Sequence, residues 1–218
     1  MDYALLKREK GIGKGKRCFI IASGPSLNKE DLSPLKKEVT IGVNESFKAL
    51  PFEPTYLCIG DRFLWPKIKG IYASMTNSKV FCGGGMDGTV GRGYSGKNLI
   101  GVIPMNRQES IIEHGINFDL ESGPLRIGYG VVPEVAIPFA CYCGFSEIYL
   151  LGCDASQKGY AYSNPARGEG TQKVLDKSIL SFEAIARQKL PAKIINLSQG
   201  SLLSCFQFSS LEKILCRQ

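Results

Sequence analysis

Four polar residues each close an apolar run in this chain: Ser23 after RCFIIA, Asn44 after VTIGV, Asp61 after PTYLCIG and Asp154 after IYLLGC. A hydroxyl, an amide and two carboxylates can hydrogen-bond a polar ligand or take a proton from a hydroxyl nucleophile. Ser23-Gly24-Pro25-Ser26 joins a glycine open to close approach, a proline of fixed φ and a serine able to cap a turn or bind an anion. The same quartet also suits an ordinary strand-to-helix turn. Asn44 alone reads first as the cap of ESFKAL, and alternatively as a partner for a base edge or ribose hydroxyl. The turn Gly128-Tyr129-Gly130-Val131 either offers N–H groups to phosphate or carboxylate ahead of a helix, or is a plain tight turn. Asp154 is a base, a hydroxyl acceptor or a loop staple. Tyr160 and Tyr162 beyond it carry phenols that can stabilise charge on a leaving phosphate.

These residues need elements to gather them. RCFIIAS, VTIGVN, FEPTYLCIGD, SKVFCGG, SEIYLLGCD and AKIINLS read as strands, and their near-continuous apolar character predicts parallel strands covered on both faces. NKEDLSPLKK predicts a short helix or turn, and FLWPKIKGIYASM a helix broken at Pro66. Apolar residues at helical spacing over VPEVAIPFACYCGF predict a helix stopping at Gly144. TQKVLDKSILSFEAIARQK and SSLEKILC complete the helices. The Gly-rich stretch from Met86 to Arg126 predicts irregular structure with a helical piece near NRQESIIEHG. Strands alternating with helices predict an α/β, single Rossmann-like domain with a mostly parallel sheet, whose ligands bind at the strands' carboxyl ends.

Composition narrows the chemistry. The 218 residues are 44% hydrophobic, enough for one sizeable domain over 17–218, and much of the net charge of +7 lies in residues 1–16, which predict a solvated basic arm. The single histidine, His114, excludes a His dyad. The Ser23–Ser26 turn is not a GxGxxG and lacks the lysine of GxxxxGK[ST], the chain has no CxxC or DxD pair, and most of the eight cysteines sit in apolar runs as small hydrophobes. Apolar runs fall short of the roughly 20 residues of a membrane span, so a cytoplasmic chain is expected.

The segments IIASGPSLNKEDLSPL, TIGVN, PTYLCIGD, GFSEIYLLGCD and INLSQGSLLSCF together resemble the bacterial CMP-sialic-acid-dependent sialyltransferases of lipooligosaccharide synthesis. They also resemble relatives from surface-polysaccharide loci, grouped with the archaeal 6-hydroxymethylpterin diphosphokinase. The resemblance runs from Arg17 onward and is weakest between Met86 and Arg126. It implies a sialyltransferase-like, GT-A-type variant fold that moves a sugar from a CMP-linked donor to a glycan acceptor without a cofactor. Nucleic acid is not an expected partner; the charge of the basic arm, apart from the resemblance, makes an inner-membrane surface a candidate partner, and a homo-oligomer is another.

The resemblance places Gly24, Pro25 and Ser26 in the nucleotide-holding turn, with Ser23 where the family has Asn. It matches Asn44 to the second-strand Asn, Asp154 to the Gly-x-Asp motif and Tyr162 to the tyrosine that stabilises the leaving phosphate. Ser156 replaces a second tyrosine. The family's basic histidine falls in PARGEGTQK, where this chain has none, leaving Asp154, Glu169 and Asp61 as candidate bases. Asp61, Gly130 and Val131 complete the expected nucleotide contacts. Two alternatives stand beside this reading. One is an ATP-dependent pyrophosphokinase, with Mg²⁺ held through Asp61 and Asp154. The other is a nucleotide-binding domain without catalysis.

Overall fold

The predicted strands form because β-branched and aromatic residues alternate between two apolar layers. A computed structural model describes residues 4–84, 88–156, 158–163 and 171–216. Its main sheet is built from β1 (Arg17–Ile21), β2 (Thr40–Val43), β3 (Tyr56–Ile59), β4 (Lys79–Gly83), β5 (Leu99–Ile103), β8 (Glu147–Leu151), β9 (Lys193–Asn196) and β10 (Gln207–Phe208). The order is β10-β9-β8-β1-β2-β3-β4-β5, with every pairing parallel. A separate parallel pair joins β6 (Met105–Ser110) to β7 (Leu125–Ile127). The mostly parallel, Rossmann-like α/β architecture expected from the sequence is present.

Period-two alternation sends Cys18 and Ile20 of β1 into one layer with Val135, Phe139 and Phe182, and Phe19 and Ile21 into the other with Leu27, Leu35 and Leu211. The first layer is roofed by a helix that begins as a π turn, Val132–Ala136, and continues as α4 (Ile137–Tyr142). Pro138 cannot donate to the carbonyl of Glu134 and would crowd it in a regular α-helix; the wider π turn relieves this contact. Gly144 ends the helix with φ of +80°. On the second layer, α2 (Trp65–Ser74) packs Trp65, Ile68 and Tyr72 beneath β3 and β4, and α6 (Leu211–Leu215) covers β9. The long helix α5 (Thr171–Arg187) flanks the π turn.

Several details differ from the sequence reading. Pro66 does not break α2; it occupies the first turn, where a missing N–H costs nothing. NKEDLSPLKK forms parts of two short 3₁₀ segments, Pro25–Lys29 and Ser33–Lys37. The region expected to be irregular supplies β5, β6 and β7, while the helical piece expected near NRQESIIEHG is present as α3 (Ile111–His114). The basic segment is not a solvated arm within residues 4–16. It begins with α1 (Ala4–Lys7), buries Leu6 completely, and buries Glu9 against Tyr56 and Lys79 at 2.5 and 2.6 Å.

Candidate functional site

The chain lays down β1 to β5 in one direction, then returns to add β8, β9 and β10 on the free edge of β1. The switch in strand order therefore lies between β1 and β8, where a parallel sheet opens a crevice at its carboxyl rim. A cleft of about 210 Å³ occupies this place. Its floor is Ala22 and Ser23 after β1, Asn44 after β2, and Gly152–Ala155 after β8; its roof is Gly130–Pro133 with Ser178 and Phe182 of α5. The volume lies below the roughly 300–1,000 Å³ of typical small-molecule sites.

Two independent kinds of outlier fall on these strand ends. Among the described residues, only Asn44 (φ +51°) and Ala155 (φ +52°) are left-handed without being glycine, a conformation that costs roughly 1–2 kcal/mol for an ordinary L-residue. Among the same residues, two buried side-chain oxygens lack a hydrogen-bond partner: Asn44 Oδ1 and Ser156 Oγ, the latter next to Ala155. A buried acceptor left unpaired costs about 1–3 kcal/mol, and Asn44 is also a lining residue of the cleft. Its side chain makes no cap to the following 3₁₀ segment, Asn44–Ala49; Ser46 Oγ instead accepts from the Val43 N–H at 2.9 Å.

The Ser-Gly-Pro-Ser quartet divides its labour. Ser23 lines the cleft, and its carbonyl accepts from the Ala161 N–H at 2.9 Å. Gly24, Pro25 and Ser26 lie behind it. Asp154 accepts from the Ser26 N–H at 2.8 Å through Oδ2 and from the Ser26 hydroxyl through Oδ1. Asp154 is 7% exposed, so this carboxylate staples the β1 turn to the β8 turn rather than standing free. Gly24 is required because a Cβ there would lie 2.4 Å from the Gly152 carbonyl oxygen and 2.6 Å from Asp154 Cγ.

The remaining expected residues are spread unevenly. Gly130 and Val131 line the cleft, but the neighbouring Gly128 N–H is taken by Glu134 Oε1 at 3.0 Å. Asp61 lies outside the cleft and accepts from the Phe63 and Leu64 N–H groups at 2.8 and 3.1 Å, starting α2. It stands three strand spacings from Asp154 in the sheet, roughly 14 Å at about 4.8 Å each, too far to share one Mg²⁺. Among the described residues no cluster of three His, Cys, Asp or Glu side chains is arranged for a metal. Tyr160 lines the cleft, and Tyr162 stacks on it with ring centres 5.4 Å apart. The Tyr162 hydroxyl reaches Glu45 at 3.4 Å, while Lys48 sits 5.3 Å over its ring. Burial and the nearby Glu45 carboxylate hold the phenol well above its ordinary pKa. Glu169 lies outside the described residues.

Two groups near the cleft escaped the sequence reading. Glu134 follows the cleft-lining Pro133, and burial, partly offset by the Gly128 N–H and reinforced by Asp61, raises its pKa to about 7. The available signal was a lone acid inside VPEVAIPFACYC. Lys177 donates to the Tyr129 hydroxyl at 2.8 Å and lies 4.5 Å over its ring, beside the cleft-lining Gly130 and Ser178. A scan against protein-family models and searches of curated proteins and of solved structures find no match to this chain.

Proposed function

We propose that the chain is a glycosyltransferase, a variant of the sialyltransferase-like fold, moving sialic acid or a related sugar from a CMP-type donor to a glycan acceptor. One observation supports this most: backbone strain and unpaired buried oxygens coincide on the strand ends that frame the switch-point cleft. In this reading Asn44 Oδ1 accepts from a ribose hydroxyl or base amine, and Ser23, Gly130 and Val131 face the nucleotide. Asp154 shapes the floor through Ser26. Glu134 takes the proton from the acceptor hydroxyl, whose oxygen bonds to the anomeric carbon as the sugar–phosphate C–O bond breaks and CMP departs with the electron pair. A carboxylate with a pKa of about 7 is tuned for this at neutral pH. Tyr162, whose hydroxyl lies between Glu45 at 3.4 Å and Ser23, turns from these partners to the leaving phosphate, so no metal is invoked. The eight cysteines are free thiols, which suits a cytoplasmic setting.

The test is thermal unfolding with CMP, CDP, UDP and ATP, each with and without Mg²⁺. CMP at 100 times its dissociation constant should stabilise by about 2.7 kcal/mol, raising Tm by about 5–10 °C for a chain of this length. Asn44→Ala should abolish the rise. If none of the pyrimidine nucleotides shifts Tm, the reading is wrong; protection by ATP with Mg²⁺ alone points to pyrophosphoryl transfer instead.

A further inference from the structure

The basic segment is pinned along the rim opposite the cleft. Glu9 bonds Tyr56 and Lys79, the first residues of β3 and β4. Gly13 donates to the Cys143 carbonyl at 2.8 Å and packs under the Phe145 ring, Lys14 bridges to Phe145, and the Lys16 carbonyl accepts from the Ser146 N–H at 2.9 Å. Because all strands of the main sheet are parallel, their first residues share this rim. It holds Lys16 before β1, Lys37 before β2, Lys79 at β4 and Lys193 at β9, and Lys16 and Lys37 border one groove of about 460 Å³.

The acids there offset only part of this charge. Glu38 is taken by Arg17 at 2.6 Å and Glu9 by Lys79 at 2.6 Å. Glu147 keeps its charge, since its partner at 2.9 Å is the neutral Tyr149 hydroxyl, and it lines the groove beside Arg17. Lys10 pairs with Glu121 at 2.7 Å. Among the described residues no carboxylate lies within 4.0 Å of the ammonium groups of Lys14, Lys16, Lys37 or Lys193. The same pinned segment exposes two aliphatic side chains, Leu5 at 42% and Ile12 at 46%. Unpaired lysines along this rim, with exposed aliphatics on the segment pinned to it, match a negatively charged lipid interface, where lysines meet headgroups and short apolar side chains enter the acyl boundary. A nucleic-acid surface would instead interleave its cations with exposed aromatics, and Phe145 on this rim is buried.

We infer that this rim is a peripheral docking surface for anionic phospholipid headgroups. Docking there leaves the cleft facing away from the bilayer, since it opens at the other end of the strands. The experiment is sedimentation of the full chain with phosphatidylcholine vesicles with or without 30% phosphatidylserine (probe composition, about 0.1 M salt). Binding to the phosphatidylserine vesicles only is expected. K14E/K16E/K37E should weaken it at least about tenfold, and L5S/I12S should weaken it without any change of charge. All these side chains are exposed, so unchanged circular dichroism and Tm will show that the variants fold. Equal binding to both vesicle types, no binding to either, or triple-variant binding equal to the parent's overturns the proposal. So does a duplex RNA that displaces the vesicles at equal charge concentration.

Discussion

Replacing Glu134 by glutamine removes one charge while leaving an oxygen to accept the Gly128 N–H. The folded chain holds the Glu134 proton more tightly than the unfolded chain does, with a pKa of about 7 against an ordinary 4.5. Folding therefore binds extra protons between these values, and stability contributed by the neutral carboxyl is lost as pH rises from about 4.5 through 7. The full difference corresponds to about 3 kcal/mol above pH 7. Glu134 is partly exposed, so solvent screening trims this to about 1–3 kcal/mol. Glu134→Gln should match the parent at pH 4 and exceed it at pH 8, by about 2–12 °C in Tm for a chain of this size. The assay is calorimetric or urea unfolding of both proteins at half-unit pH steps; the difference between them isolates this group from other titrations. A difference independent of pH, or a glutamine variant less stable at pH 8, refutes the account of a desolvated carboxylate beside Asp61.

Two further outcomes follow from the staple behind the cleft. Gly24→Ala places a Cβ 2.4 Å from a backbone oxygen, so urea unfolding should show a loss of about 3 kcal/mol, with the CMP-induced Tm rise lost as well. Ser26→Ala removes the hydroxyl that donates to Asp154 Oδ1 and should cost about 2 kcal/mol near neutral pH, read by the same unfolding experiment.

Much of the architecture was legible because it depends on local pattern. Apolar runs such as RCFIIA and IYLLGC can be satisfied only between two covering layers, so parallel strands and strand-end polar residues followed directly. The β5 strand, LIGVI, was hidden because it follows a glycine-rich stretch without an alternating pattern. The basic segment misled for a related reason: charge in KREKGIGKGK announces solvation, whereas its fixing depends on Leu6, Glu9 and Gly13 meeting distant partners.

The site divides in the same way. Ser23, Asn44, Gly130 and Val131 were among the nucleotide contacts expected from residue types and the resemblance together, and all four line the cleft. Sequence could not separate a ligand-facing carboxylate from a structural one, because that depends on which donors arrive from far away in the chain. Asp154 meets Ser26 across 128 positions, Asp61 starts its own helix, and Glu134 titrates near neutrality only because β3, the π turn and Gly128 enclose it. Strand identity is written in side-chain periodicity, a property of neighbours along the chain. The state of a buried charge is written in desolvation and through-space partners, which exist only after the sheet has closed.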